Sequence, residues 1–441
     1  MSTIRVGILT RSEVRVIFNG KYSCEERVFE GEHILKEAGV YTPTSEDCTF
    51  DLCDVTIGID FHWERNETQR FKGSLEILPT EGGKFTAVNV LDIEDYLQSV
   101  ISSEMSATSH MELLKAHAVI SRSWALCKIQ RSLQDSAFAY QESEGKRICW
   151  YGSEPHKGFD VCADDHCQRY QGLRAKDHKN AVKAVQDTKD EVLAYPIEAS
   201  TGSATAKEGS GTEFEICDAR YYKSCGGVTE EFETCWEDAH HDYLVKVVDR
   251  EHYSSVASTS STNTLDLTKE ENAREWILSN PEAFCNTDDK EILGQVLNDY
   301  DQETIDFYRW KVVYSQEELT ALVARHASQL GKIIDLIPLK RGVSGRIYEL
   351  KIVGENESMI IGKELEIRKW LSNSHLYSSA FVVEKENNTF TLYGAGWGHG
   401  VGLCQIGAAV MAEKGYTYKE ILQHYYPNTE LLSLVKLVNN N

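Results

Sequence analysis

The chain has 441 residues, of which 41% are hydrophobic, and its formal net charge is −23 at pH 7. A chain of this length and apolar content can bury a large core, and we expect two or three structural units. The acidic balance argues against nucleic acid and anionic lipid as partners, because both attract clustered Lys and Arg. A neutral or mixed-charge partner fits better.

The sequence also lacks the patterns of a membrane span, a signal peptide and a disulfide scaffold. No apolar run reaches the roughly 18 residues that span a bilayer, so we expect no membrane span. The start, Met1–Thr10, lacks the charged region and apolar core of a signal peptide, so either the chain stays in the cytoplasm or a leader has been removed. The 12 cysteines are too sparse for a disulfide scaffold, and buried thiols with a few metal ligands are expected.

Residues 1–90 alternate apolar and polar positions in short runs, which predicts a β-rich N-terminal region. The predicted strands are Ile4–Leu9, Val14–Phe18, Val55–Phe61, Leu75–Leu78 and Phe85–Val90. Residues 91–250 form the next unit, which begins with two helices and continues into a loop rich in Cys and His.

The first predicted helix, Glu94–Met105, carries apolar residues at helical spacing, and Glu104 lies at its apolar end. Apolar surroundings disfavour an ionised carboxylate, so a glutamic acid there keeps its proton to higher pH, as an acid catalyst requires. Taken alone, this segment is more typical of a solvated glutamate on a surface helix. Residues elsewhere in the chain are needed to distinguish a catalytic acid from a surface glutamate.

The second predicted helix, His110–Arg131, contains Lys115 and Arg122 about two helical turns apart. This spacing places both cations on one face, separated by roughly 10 Å of rise. Such a pair can clamp a polar substrate or stabilise negative charge, and it is also typical of cations on a solvated face.

A metal site is indicated between His156 and Cys167. His156, Cys162, His166 and Cys167 supply the number and kind of ligands that tetrahedral zinc prefers. Because His166 and Cys167 are adjacent, the site needs a tight loop, and one of the two can instead face elsewhere. The alternative is a loop with two histidines and two buried thiols.

The middle of the chain is more irregular. Residues 251–330 are acidic and predicted to be a helical insertion. The segments predicted around it are a helix at Val182–Gln186, a strand at Val192–Tyr195, a small-residue linker at Gly202–Gly211, a turn at Tyr222–Glu230 and an exposed loop at Asp249–Leu265.

Residues 331–441 return to strands, followed by a glycine-dense segment and closing helices. Thr417 and Glu420 form a capping box, and Pro427 follows the helix end. Gly394–Ala408 lacks the Lys-Ser/Thr ending of a phosphate loop, so its glycines are expected to let the backbone pass close to a ligand or another segment. The predicted strands are Ile333–Pro338, Arg346–Val353, Ser358–Ile361, Phe381–Glu384 and Phe390–Tyr393.

Several of these segments together resemble one family, that of stage II sporulation protein D (SpoIID) and the amidase enhancer LytB. The matching motifs are Asn89–Leu97, the Ser-Ser-Glu-Met run that ends at Met105, Leu114–Ala125, Ser224–Glu230, Ser344–Arg346, Gly396–Ala408 and His424–Pro427. The resemblance extends to about Leu431, with a poor match between residues 250 and 330. It implies that residues 90–250 and 331–441 together form the core of the family.

The resemblance implies an α+β fold with β-rich units around a helical active-site segment and a glycan-binding groove. It further implies a peptidoglycan lytic transglycosylase that cleaves the β-1,4 bond between N-acetylmuramic acid and N-acetylglucosamine and leaves a 1,6-anhydro end. Glu104 matches the general acid and base of the family. Lys115 and Arg122 match residues implicated at the active site.

Other roles are implied by the same resemblance. Ser224, Thr229, Tyr243, His399 and Gln405 are expected to bind the glycan. A zinc ion, structural or near the active site, is expected on the Cys/His loop, because some members hold one with a set ending in His-Cys-Gln. The implied location is the cell envelope, periplasm or exterior.

Some positions depart from the family. Leu244 and Val245 precede Lys246 where the family often has a Lys just after the tyrosine, and Cys225 and Cys404 replace residues that are commonly Ser or Thr. Two alternatives remain open. One is a non-catalytic glycan-binding enhancer of a cell-wall amidase, and the other is a zinc-stabilised structural protein.

Overall fold

In a computed structural model of the chain, the structure describes residues 3–57, 65–106, 108–132, 140–143, 145–151, 156–164, 166–173, 179–197, 213–251, 265–296 and 306–440. The predicted linker Gly202–Gly211 and the end of the predicted strand Val55–Phe61 lie outside these residues. None of the described helices is both long enough and apolar enough to cross a membrane.

Strands occur along most of the chain. The first eleven are β1 (Thr3–Arg11), β2 (Val14–Cys24), β3 (Arg27–Leu35), β4 (Gly39–Pro43), β5 (Thr49–Ile57), β6 (Arg65–Lys72), β7 (Ser74–Thr80), β8 (Lys84–Asp92), β9 (Tyr140–Ser143), β10 (Lys146–Cys149) and β11 (Val161–Cys162). The others are β12 (Glu191–Ile197), β13 (Glu213–Ile216), β14 (Tyr221–Tyr222), β15 (Arg309–Ser315), β16 (Ile333–Arg341), β17 (Ile347–Gly354), β18 (Ser358–Gly362), β19 (Phe381–Glu386), β20 (Thr389–Ala395), β21 (Leu403–Cys404) and β22 (Glu430–Ser433).

Helices separate these groups of strands. They are α1 (Ile93–Glu104), α2 (Met111–Ser132), α3 (Lys179–Asp187), α4 (Phe232–Cys235), α5 (Glu270–Leu278), α6 (Lys290–Val296), α7 (Gln316–Ala327), α8 (Glu364–Trp370), α9 (Gln405–Glu413), α10 (Tyr418–Tyr425) and α11 (Leu434–Asn440).

The N-terminal strands form one sheet, in the order β11-β1-β8-β7-β4-β2-β5-β6, with β3 also paired to β2. Alternating apolar side chains form its buried face, and Val6, Leu52 and Leu75 are fully buried. The parallel partner of β1 is β11, which belongs to the Cys/His loop. Strands therefore make up most of residues 3–92, and their sheet also receives a strand from the Cys/His loop.

The later strands form smaller sheets. Their orders are β16-β17-β18-β10-β9, β13-β12-β22, β15-β20-β19 and the parallel pair β14-β21. The mixed sheets and helices agree with the expected α+β class. Within the acidic region, however, the expectation of helices is wrong for Arg309–Ser315, which forms β15 because its backbone pairs with β20 in an antiparallel ladder.

Two main hydrophobic clusters hold the described residues together. The first joins the N-terminal sheet to α1, α2, α9 and α10, with Val100, Leu114 and Ile406 among its fully or almost fully buried members. The second lies among the strands β15–β20 and the helices α7 and α8. The helices α1 and α2 are thus packed between the N-terminal sheet and the closing helices, and this packing positions Glu104.

Candidate functional site

Glu104 is the last residue of α1, and its half-buried side chain lies against two other segments. The helix starts at the cap Asp92, whose carboxylate accepts a hydrogen bond from the Glu94 amide at 2.9 Å. At the other end, Oε1 of Glu104 accepts hydrogen bonds from the Arg169 amide at 3.1 Å and from the Tyr221 hydroxyl at 3.3 Å. The carboxylate is therefore oriented by one group from the Cys/His loop and one from β14.

Tyr221 in turn connects Glu104 to α2 and to the glycine-dense segment. Its ring meets the ring of His117 edge to face at 4.4 Å between centroids. Nε2 of His117 lies 3.1 Å from Nε2 of Gln405, the first residue of α9, and Nδ1 lies 3.2 Å from the Ser121 hydroxyl. Gln405, predicted to bind glycan, is thus linked to Glu104 through two residues, His117 and Tyr221.

The imidazole of His117 is neutral over the physiological range. Burial, with a smaller contribution from the positive charge of Lys223, lowers the pKa of His117 to about 3. A neutral ring can accept a hydrogen bond on one nitrogen and donate on the other. It therefore joins Ser121 and Gln405 without bringing a charge next to Tyr221.

The predicted metal loop brings all four of its candidate ligands together. One ligand atom from each of His156, Cys162, His166 and Cys167 lies within 4.8 Å of the others. Nδ1 of His166 is 3.8 Å from Sγ of Cys162 and 3.6 Å from Sγ of Cys167, so neither His166 nor Cys167 faces elsewhere. Two imidazoles and two thiols in this arrangement could hold a divalent metal.

The same loop is anchored to the helices that carry Glu104 and His117. Gln168 accepts a hydrogen bond from the Tyr96 hydroxyl at 3.0 Å and donates one to the Ser121 carbonyl at 3.4 Å. The next residue, Arg169, donates its amide to Glu104. The loop residues that follow Cys167 therefore determine where the Glu104 carboxylate lies.

Lys115 and Arg122 do share a face of α2, because both contact α3. Nζ of Lys115 lies 3.5 Å from Asp187, and Arg122 donates to the Val185 carbonyl at 3.4 Å. Arg122 is fully buried and forms a two-pronged ion pair with Glu94, at 2.8 and 2.7 Å. This face of α2 lies against α3 and β12, and an active-site role for either cation stays a prediction.

Three of the expected glycan-binding residues are buried in contacts with the protein itself. Thr229 bonds the Val245 carbonyl and the Val247 amide, and the Tyr243 hydroxyl accepts from the Asp218 amide. Ser224 pairs through its backbone with Trp397. Their assignment to a glycan groove stays a prediction.

His399 lies against the rings of Tyr222 and Trp236, at 5.2 and 5.0 Å. Its Nδ1 accepts from the Val401 amide at 3.1 Å. Burial, and then the nearby charge of Arg220, lower the pKa of His399 well below its ordinary value. It is therefore a neutral ring within the glycine-dense segment. Its contact with glycan also stays a prediction.

The expectation that the glycines allow close packing is confirmed. Gly396 has φ of +74°, and a Cβ there would lie 2.7 Å from the Ser224 carbonyl. The amide of Trp397 donates to that carbonyl at 2.8 Å, and the Ser224 amide donates back at 3.0 Å. Only glycine permits this approach, which holds the segment against the Tyr222–Glu230 turn.

Sequence reasoning missed three residues of the site, namely Tyr221, His117 and Arg169. His117 lies inside the Leu114–Ala125 motif, and Arg169 follows the His-Cys-Gln run directly. Tyr221 immediately precedes the predicted turn. Each lies within or next to a recognised motif. The contacts of Tyr221 and Arg169 with Glu104, and of His117 with Tyr221, join segments that are far apart in the chain.

Models of two protein families match parts of the chain. The model of the family described as "Stage II sporulation protein" matches residues 81–195, which include Glu104 and the Cys/His loop. A second model, described as "Domain of unknown function (DUF8618)", matches residues 230–402.

Individual relatives cover different shares of the chain. The amidase enhancer of Bacillus subtilis (strain 168) is 25% identical over 364 residues, which are 76% of this chain but 40% of that protein. An uncharacterized protein of Brachyspira hyodysenteriae is 25% identical over 90% of this chain and 79% of its own length. Stage II sporulation protein D of Bacillus amyloliquefaciens is 36% identical over 74 residues, 17% of this chain and 22% of that protein. Through residues 81–195, the chain is similar to the family of stage II sporulation protein D and the amidase enhancer, and it spans less than half the length of the amidase enhancer.

Proposed function

We propose that the chain is a peptidoglycan lytic transglycosylase, which cleaves the β-1,4 bond between N-acetylmuramic acid and N-acetylglucosamine with Glu104 as general acid and base. The observation that carries the proposal is the placement of the Glu104 carboxylate. It is half-buried and is oriented by the Tyr221 hydroxyl and the Arg169 amide, in the segment that matches the family model.

In the proposed reaction, protonated Glu104 donates its proton to the glycosidic oxygen as the bond to the anomeric carbon breaks. The carboxylate then takes the proton of the 6-hydroxyl group of the muramic acid residue while that oxygen attacks the anomeric carbon. The product is a 1,6-anhydro sugar, and Glu104 is protonated again. One carboxylate is enough, whereas hydrolysis by the common mechanisms uses two.

The surroundings of Glu104 support its positioning. Tyr221 and Arg169 both donate to Oε1, which fixes the carboxylate plane before a substrate binds. Tyr221 is itself held against His117, and Arg169 follows the anchored Gln168. We propose that Ser224, Thr229 and Tyr243 support the groove wall from behind, since their side chains are buried.

His156, Cys162, His166 and Cys167 fit a zinc ion in the chemistry of their donors. When bound there, zinc would supply a rigid cross-link of the loop. The Cys/His loop would then affect the reaction through the Arg169 amide, which orients the Glu104 carboxylate. Because intact peptidoglycan lies outside the cytoplasm, the proposal places the protein in the cell envelope, the periplasm or the exterior.

The test is mass spectrometry of the soluble products after incubation with purified peptidoglycan and, separately, with peptide-stripped glycan strands. We expect anhydro products from the wild type and loss of these products from Glu104→Gln. Glu81→Gln, which removes the same charge at an exposed position, should retain activity. Reducing-end products would instead indicate hydrolysis.

A second candidate function is favoured by the name of one relative, the amidase enhancer. In this alternative the chain binds glycan strands and stimulates a cell-wall amidase without cutting. It predicts no anhydro products from either substrate, glycan retained in a pull-down, and stimulation of an amidase that is unchanged in Glu104→Gln.

A further inference from the structure

A second cluster of metal-ligand side chains lies in the protein interior, apart from the Cys/His loop. Cys225, Asp249, Cys285 and Cys404 each place one ligand atom within 4.8 Å of the other three, and all four residues are buried. Cys225 lies in the turn after β14, and Asp249 lies between α4 and α5. Cys285 lies in the connection between α5 and α6, and Cys404 lies at the start of α9. The expectation of an exposed loop at Asp249–Leu265 is therefore wrong at Asp249, which is fully buried.

We propose that these four residues bind one zinc ion, or a similar thiophilic divalent metal, in a closed structural site. Sγ of Cys225 lies 3.3 Å from Sγ of Cys285 and 3.3 Å from Oδ2 of Asp249. Tetrahedral zinc with bonds of about 2.3 Å to sulfur separates its ligand atoms by roughly 3.7 Å. A disulfide would need sulfur atoms about 2.05 Å apart. The spacing is thus closer to that of metal ligands.

The groups around the cluster point to ligands held for a cation. The amides of Cys225 and Gly407 both donate to Sγ of Cys404, at 3.3 and 3.4 Å, and the Gly227 amide donates to Sγ of Cys225 at 3.3 Å. Asp249 is fixed by the Tyr425 hydroxyl at 2.6 Å and by the Cys285 amide at 2.9 Å. Such outer contacts orient metal ligands and stabilise thiolates.

Charge gives a second argument. Three thiols and a carboxylate share one buried space, in which His424 Nε2 also lies 3.8 Å from Oδ1 of Asp249. Burying several groups that can become anionic is costly unless cations balance their charge. A divalent cation offsets that charge, and its binding releases the thiol protons to solvent. Since all four ligands come from the protein, the site resembles structural rather than catalytic zinc sites.

The position of Cys285 shows what the metal would do. It follows α5, in the acidic region, whereas Cys225 and Cys404 belong to β14 and β21 and their flanking turns. A metal here would tie the acidic region to the glycine-dense segment. The inference does not depend on whether the chain cleaves glycan.

The test uses the full chain with Cys162→Ser and Cys167→Ser, which remove two ligands of the first metal loop and leave the second cluster intact. After purification with zinc under reducing conditions, we expect one zinc ion per folded chain by elemental analysis. X-ray absorption at the zinc edge should show three sulfur neighbours and one oxygen. Adding Cys285→Ser should abolish or strongly weaken binding, whereas Cys127→Ser, at a buried thiol outside both clusters, should not.

The absorption measurement needs no variant within the cluster, so it remains decisive even if Cys285→Ser fails to fold. The proposal is overturned if the folded double variant holds no zinc, or if its zinc lacks sulfur neighbours. Mass spectrometry that finds Cys225 and Cys285 joined as a disulfide in the zinc-supplemented protein would also overturn it.

Discussion

His117 shows how one buried side chain connects several parts of the site. Its ring packs on Tyr221, which donates to Glu104, and its nitrogens lie near Ser121 and Gln405. These contacts need a neutral ring, since a buried imidazolium would have to be paired with an anion. The arrangement of Tyr221 and hence of Glu104 therefore depends on the protonation state of His117.

This leads to a prediction about pH. The folded-state pKa of His117 is about 3, whereas a histidine in the unfolded chain titrates near 6.5. Between these values the unfolded chain binds the additional proton, so stability is fully retained above pH 6.5 and falls as the pH drops through this window. We expect His117 to contribute a decrease of about 1 kcal/mol per pH unit to the free energy of unfolding.

Urea unfolding between pH 7 and pH 4.5 measures this dependence. Subtracting the stability-versus-pH curve of His117→Asn from that of the wild type isolates the contribution of His117. His33→Asn serves as the control for removing a histidine elsewhere in the chain. Equal slopes for the wild type and His117→Asn would show that burial of this ring does not control acid stability.

At the scale of elements, the ion pair between Arg122 and Glu94 connects α2 to α1. Arg122 is fully buried and also donates to carbonyls of Val185 and Glu191, on α3 and β12. Four elements thus meet at one guanidinium. Lys115 lies on the same face but keeps part of its side chain exposed.

We predict that Arg122→Leu lowers the free energy of unfolding by about 3 to 5 kcal/mol, because it leaves the half-buried Glu94 without its cation. Lys115→Met should cost about 0 to 1 kcal/mol, as for an exposed pair. Thermal and denaturant unfolding of both variants measures the difference. If the two variants are equally stable while both lose activity, a direct role of the cations in catalysis is favoured over a structural role for Arg122.

At the scale of the whole molecule, the acidic region contacts the connection that follows Glu104. The carbonyl of Gln295, in α6, accepts from the Ser106 amide and the Ser109 hydroxyl, and its Oε1 accepts from the His110 amide at 2.8 Å. Its Nε2 donates to Glu413 on α9. The acidic region therefore supports the turn between α1 and α2 rather than lying apart from the core.

We predict that Gln295→Ala increases hydrogen exchange of the amides of residues 106–110, because the His110 amide loses its acceptor at a cost of about 1 to 3 kcal/mol. Exchange followed by mass spectrometry measures the change by segment. Gln316→Ala removes another buried glutamine, which bonds the Ile333 carbonyl, and should leave this turn protected. Identical protection of residues 106–110 in both variants would contradict the supporting role.

Short-range patterns in the sequence predicted many of the local elements and the candidate metal ligands. Helical and strand periodicity predicted α1, α2, β1, β2, β7 and β8, but not β3, β4 or β6. The predicted capping box at Thr417 and Glu420 is present at the start of α10. The four ligands of the Cys/His loop were predictable because they lie close together in the chain. These features depend on short-range spacing, which a sequence states directly.

The contacts between distant segments could be seen only in the folded chain. Tyr221 reaches Glu104 across 117 positions, and Cys225 lies beside Cys404 across 179 positions. Such contacts follow from the packing of whole elements, and no local pattern records them. The pairing of Arg122 with Glu94 and the burial of Asp249 arise in the same way, because burial and charge pairing are set by the completed core.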